Sequence, residues 1–134
     1  MTKDCIFCKI IRGEIQSEKI WEDKDYLVML DAFPLIKGQV LVIPKKHIGS
    51  YLFDVNNEDY SNLLLIAKKV AKAIDASLKP IKTGMLVEGL EVEHVHIKLF
   101  PFFNKFGLKL KPLDIIPSKE EMRNIAEKIK KSLN

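Results

Sequence analysis

Two cysteines are all that this 134-residue chain contains, so a scaffold stapled by disulfides is excluded. A single pair at C-x-x-C spacing suits a reducing compartment, where such pairs are metal ligands or redox centres more often than bridges. The chain also has no apolar run of the length that crosses a bilayer. Met1 to Asp4 leads straight into Cys5 without the pattern of a signal peptide. The expectation is a cytoplasmic protein with no membrane partner. Internal repeats and low-complexity segments are missing as well. Nor is there a strong charge of one sign: the formal net charge is +4. The excess is local, with eight Lys/Arg against four Asp/Glu in residues 104–134 and fourteen of each before them. Such a basic segment usually means solvation, accommodates an anionic ligand such as a nucleotide, and leaves nucleic acid open without favouring it.

What is present is enough apolar material, 47% of residues, for one domain spanning 1–134. Phe7, Ile10 and Ile11 fall at helical spacing before Gly13, which predicts a short helix over 5–12. Residues 19–22 and 26–31 are β-prone runs divided by Asp23-Lys24-Asp25, a hairpin pattern. Residues 39–43 form a third strand ended by Pro44. Leu63, Ile66, Ala67, Val70 and Ile74 mark a long helix from Asn56 to about Leu78, capped by Asp54 or Asn56 and ended by Pro80. A fourth strand covers 83–87, and Glu88-Gly89-Leu90 connects it to a fifth over 93–101. Gly107 and Pro112 mark an irregular stretch. Ser118 and Glu121 form a capping box for a last helix whose stripe is Met122, Ile125, Ala126, Ile129 and Leu133. The class is α+β: an antiparallel sheet of about five strands, the long helix across it, and a C-terminal helix.

The fifth strand carries the chemistry. In extended backbone His94, His96, Lys98 and Phe100 share one face, and Val95, Ile97 and Leu99 share the other. Two of the chain's three histidines stand side by side here, with a lysine next in the row. A structural pair bonded to backbone carbonyls is the plain alternative. Cys5 and Cys8 read alone are either buried thiols or ligands. With His47 at a strand end and His94 in the row, the four residues suit a structural Cys2His2 zinc site, leaving His96 to react.

Taken together, Cys-Ile-Phe-Cys-Lys-Ile-Ile-Arg-Gly-Glu-Ile at 5–15, Leu30-Asp31, Leu-Val-Ile-Pro-Lys-Lys-His-Ile at 41–48 and His-Val-His-Ile-Lys-Leu at 94–99 resemble the histidine triad (HIT) superfamily of nucleotidyl hydrolases and transferases. The resemblance implies a two-layer HIT-like fold, a homodimer, and His96 as the nucleophile attacking the α-phosphorus of a nucleotide conjugate, a dinucleoside polyphosphate or nucleoside phosphoramidate. It implies that Asp31 holds the ribose and that Phe7, Ile10, Leu30 and Ala32 line the base pocket. It also agrees with zinc on Cys5, Cys8, His47 and His94. Read without it, Asp31 is a strand-end turn carboxylate, and Phe7 and Ile10 are ordinary core.

Three departures from the family pattern stand out. Lys98 replaces the third histidine, Val87 replaces an asparagine, and the phosphate-gripping loop is shortened to Gly89-Leu90-Glu91-Val92-Glu93. Lys98 supplies charge in place of imidazole acid-base chemistry, so it is expected to act in catalysis beside His96. A nucleotide-binding or scaffold protein without catalysis is the alternative. A third reading, repair of adenylated nucleic acid ends, rests on Lys105 to Lys111 with Phe102, Phe103 and Phe106.

Overall fold

The structure is a computed structural model and describes residues 4–107, 109, 111 and 113–133. Pro112, expected to mark an irregular stretch, lies outside them, as do Leu108 and Leu110 of the basic stretch. Helix α1 (Ile6–Ile11) opens on Cys5, whose Sγ accepts the Cys8 N–H at 3.4 Å. Strands β1 (Lys19–Glu22) and β2 (Tyr26–Leu30) follow. Asp23 Oδ1 closes their turn by accepting the backbone N–H groups of Asp25 and Tyr26 at 2.8 and 2.7 Å, an Asx-type bond that stands in for a backbone turn.

Strand β3 (Val40–Pro44) runs one residue further than the sequence predicts, because Pro44 pairs opposite Tyr26 at the ladder's end, where a missing N–H costs nothing. A 3-10 turn at Leu52–Asp54, with no forewarning in the apolar pattern, leads into α2 (Asn57–Leu78). Asn56 caps α2 by accepting the Asp59 N–H at 2.9 Å. Lys79 ends the helix in the left-handed region at φ 54°, so termination precedes Pro80. Strand β4 (Lys82–Leu86) begins and ends one residue early relative to expectation.

Strand β5 (Ile97–Phe102) is a correction to the predicted 93–101 strand. The chain bends through 91–94, and the Val95 N–H bonds Gly49 O at 2.7 Å instead of a sheet neighbour. His94 and His96 therefore sit on the approach to the strand and only Lys98 lies within it. Helix α3 (Lys119–Leu133) is capped as predicted on one side, with the Glu121 N–H donated to Ser118 Oγ at 3.1 Å. The Glu121 carboxylate pairs with Lys37.

All pairings are antiparallel and the five strands lie in the order β1-β2-β3-β5-β4. The fold is thus of the α+β class expected, a five-stranded antiparallel sheet with helices packed on both faces. On one face, Leu63, Ala67, Val70 and Ile74 of α2 and Ile125, Ala126 and Ile129 of α3 cover Val28, Val40, Val42, Ile97 and Leu99. On the other, Phe7 and Ile10 of α1 cover Leu27, Met29, Leu41 and Ile43. Among the described residues no helix is long and apolar enough to cross a membrane.

Candidate functional site

The α1 face of the sheet holds two adjoining groups of polar side chains. In the first, the possible ligand atoms of Cys5, Cys8, His47 and His94 all lie within 4.8 Å of one another. Three segments deliver them: the start of α1, the loop after β3, and the approach to β5. Neither cysteine is in a disulfide. His94 is fully buried. Its Nε2 lies 2.7 Å from the Pro44 carbonyl, which can only accept, so Nε2 carries the proton and Nδ1 presents a lone pair to the cluster. Burial pushes the His94 imidazole down to about 4, with the Pro44 bond opposing; the ring is neutral near pH 7.

The separations inside the cluster are informative. Nδ1 of His94 lies 3.4 Å from Cys5 Sγ, 3.5 Å from Cys8 Sγ and 3.1 Å from His47 Nδ1, and Cys8 Sγ lies 3.5 Å from His47 Nδ1. A tetrahedral ion with metal–sulfur bonds of about 2.3 Å and metal–nitrogen bonds of about 2.0 Å has S–N edges of roughly 3.5 Å and an N–N edge of roughly 3.3 Å. The donor set and its spacing fit a Cys2His2 centre.

The second group surrounds His96, which is 2% exposed. Its Nδ1 lies 2.7 Å from the carbonyl of His94, so Nδ1 is the donor and Nε2 keeps its lone pair. Burial lowers its pKa below the ordinary imidazole value, and the Lys98 charge lowers it further. Phe7 meets the ring edge-on at 4.9 Å and meets His94 the same way at 5.9 Å. Lys98, 6% exposed, points its ammonium at Glu88 Oε1 at 3.0 Å and Glu91 Oε2 at 3.9 Å. Asp31 follows the last residue of β2. One oxygen accepts the Phe33 N–H at 2.9 Å and the other accepts Gln39 Nε2 at 2.8 Å. Burial raises the Asp31 pKa, while the Phe33 N–H and then Lys98 and His96 pull it down.

The residues named from sequence therefore separate. Cys5, Cys8, His47 and His94 converge, and Phe7, Asp31, His96 and Lys98 lie around one spot. Ile10 belongs to the apolar cluster of this face, whereas the Leu30 side chain lies in the core under the helices on the opposite face. Ala32 is exposed beyond the strand end. Phe103 and Phe106 are exposed, and Phe102 stacks on Phe100 at 6.4 Å. Sequence reasoning missed Glu88, Gln39 and the Pro44 carbonyl. No local sequence signal marks Glu88: it is the β4–β5 pairing, with Leu86 opposite Lys98, that lets a side chain just past Leu86 turn back on that lysine. A groove of about 450 Å³ between α2 and α3, lined by Leu65, Lys68, Lys69, Lys72, Ala73, Ser132 and Leu133, lies on the helix side.

The HIT domain family matches residues 12–105. A Bacillus subtilis protein named Protein hit is 34% identical, covering 98% of this chain and 95% of its own. An adenosine 5'-monophosphoramidase of Schizosaccharomyces pombe is also 34% identical, covering 93% of this chain and 95% of that protein. The crystal structure of a Hit-like protein from Bartonella henselae, involved in cell-cycle regulation, superposes with a TM-score of 0.85 at 29% identity and covers 98% of both chains.

Proposed function

This chain belongs to the HIT domain family, and from that premise we propose that it is a nucleotide hydrolase cleaving at the α-phosphate of a nucleoside phosphoramidate or dinucleoside polyphosphate. His96 is the nucleophile. Its Nε2 forms a bond to the α-phosphorus as the bond to the leaving group breaks; an amine leaving group takes a proton from solvent, and a phosphate leaves as its anion. Water then attacks the nucleotidyl-histidine, the P–N bond returns its pair to Nε2, and the nucleoside monophosphate leaves. Two displacements replace one difficult step. The observation that carries this reading is the 2.7 Å bond from His96 Nδ1 to the His94 carbonyl, which fixes the tautomer that leaves Nε2 able to attack. Lys98 neutralises the charge that grows on the phosphoryl oxygens. Asp31 takes the ribose hydroxyls, and Phe7, Ile10, Leu30 and Ala32 are proposed at the base, Leu30 through its backbone, since its side chain faces the other core.

Cys5, Cys8, His47 and His94 would hold a structural zinc ion. With four protein ligands no position remains for water, so the ion supplies a cross-link between α1 and the sheet, not chemistry. The Pro44 carbonyl on His94 Nε2 is the outer contact that orients the ring. A homodimer through α2 and β4 is supported by the place of β4 at the sheet edge with Ile81 and Met85 exposed. Cysteines kept as thiolate ligands suit a cytoplasmic location.

The test is hydrolysis of adenosine 5'-phosphoramidate and a diadenosine polyphosphate, with mass spectrometry for a histidine adduct. His96→Ala lowers turnover at least about a thousandfold, and Lys98→Ala lowers it about 10- to 100-fold. A second reading, nucleotide binding without catalysis, is favoured by the burial of His96 and by the pairing of Lys98 with two carboxylates. Bound nucleotide with no wild-type turnover and no adduct would establish it.

A further inference from the structure

Two carboxylates claim one ammonium beside His96, and they differ in kind. Glu88 lies closer to Lys98, at 3.0 Å, with its side chain 23% exposed, while Glu91 stands at 3.9 Å with its side chain 81% exposed. Glu88 is thus the inner partner and Glu91 the outer one. The segment bearing Glu91 is held at both ends. Gly89 has a φ of +65°, and a Cβ there would come within 2.2 Å of the Ser50 carbonyl oxygen, so the backbones touch. At the other end the Val95 N–H bonds Gly49 O. Glu93, on the same segment, is exposed and of the same sign.

Of the two carboxylates on Lys98 only Glu91 is on the solvent side, so a leaving group that departs from an α-phosphorus at His96 past Lys98 into solvent would meet Glu91. The leaving group of a dinucleoside polyphosphate carries several negative charges. The amine of a phosphoramidate carries none, or a positive one. We infer that Glu91 is a specificity-determining residue that disfavours polyphosphate leaving groups and selects nucleoside phosphoramidates of neutral or cationic amines. The inference rests on the reading of His96 as nucleophile and names the substrate class for that site. The Glu91 charge also acts on Asp31, raising its pKa, so its field spans the site.

The experiment compares kcat/KM for adenosine 5'-phosphoramidate with that for diadenosine tetraphosphate in the wild type and in Glu91→Gln. The preference for the phosphoramidate falls about 3- to 10-fold in the variant. Because Glu91 is exposed, raising salt to about 0.5 M narrows the difference between the two proteins, which a merely structural effect would not do. An unchanged ratio overturns the inference while leaving His96 as nucleophile intact. If the wild type cleaves neither substrate, the nucleophile reading fails by itself, and calorimetric affinities for ATP and AMP decide. Glu91→Gln then strengthens ATP relative to AMP by a similar factor; an unchanged ratio, or no binding of either, overturns the inference.

Discussion

The two faces of the sheet are supplied by alternate residues of the same strands, yet they carry different burdens. From β2, Val28 and Leu30 go under α2 and α3, while Leu27 and Met29 go under α1, and Asp31 follows the strand's last residue. The helix face is a continuous apolar core that any set of side chains of suitable volume would fill. The α1 face holds a smaller apolar cluster, and beside it the buried polar side chains Gln39, His94, His96 and Lys98. Burying such groups is costly unless each has a partner, and here each is tied to a named atom. The lesson is a division of labour, with stability drawn mainly from one side and the positioning of reactive atoms from the other.

The strongest challenge to that division is to undo the α1 face without touching its packing. Cys5→Ser does so. Serine keeps an oxygen at the N-cap of α1, where it is among the best residues, but it is a poor ligand for a soft thiolate-type centre. The expected result is zinc well below one equivalent by elemental analysis and a loss of stability on the order of 3 kcal/mol or more in denaturant unfolding. Metal well below one equivalent in the wild type and unaffected by Cys5→Ser, together with an unaltered midpoint, would show that the cluster is an ordinary thiol and imidazole contact. The opposite challenge is Ile129→Ala, which empties a fully buried position of α3. It costs about 2–4 kcal/mol, while kcat/KM of the folded protein stays within about twofold. A larger kinetic effect would mean that the faces are coupled.

That division also explains what was legible in the sequence. Period and punctuation gave the strands β1 to β4 and all three helices to within a residue or two, because the helix face is a matter of apolar spacing. The class, strand number and helix placement followed. The start of β5 did not, since the bend at 91–94 is imposed by Gly49 and Ser50, contacts some 40 residues away that no local pattern records. The cysteine and histidine cluster could be named but not built, as three separate segments deliver its atoms. Leu30 is a case of the same kind: its place next to Asp31 in sequence puts its side chain on the opposite face of the strand. Glu88 lay hidden because only the β4–β5 register brings it back to Lys98.

The smallest effect tests the α1 face at a single carboxylate. Burial raises the Asp31 pKa above its ordinary 3.8, against the pull of the Phe33 N–H, Lys98 and His96. A carboxyl with a raised folded-state pKa holds its proton better in the native chain than in the unfolded one. Its contribution is therefore fully present below pH 3.8 and is lost as pH climbs through the raised value. The amide introduced by Asp31→Asn does not titrate, and the other carboxylates cancel between the two proteins. The melting temperature of wild type minus that of the variant should then decline as pH rises out of the acid range and level off toward neutrality, by no more than a few degrees. A difference that grows with pH would mean that the N–H of Phe33, the amide of Gln39 and the ammonium of Lys98 more than offset burial, and Asp31 would rank with the stabilising groups. A declining difference makes the ionised carboxylate a destabilising group at neutral pH, held where a ribose would need it.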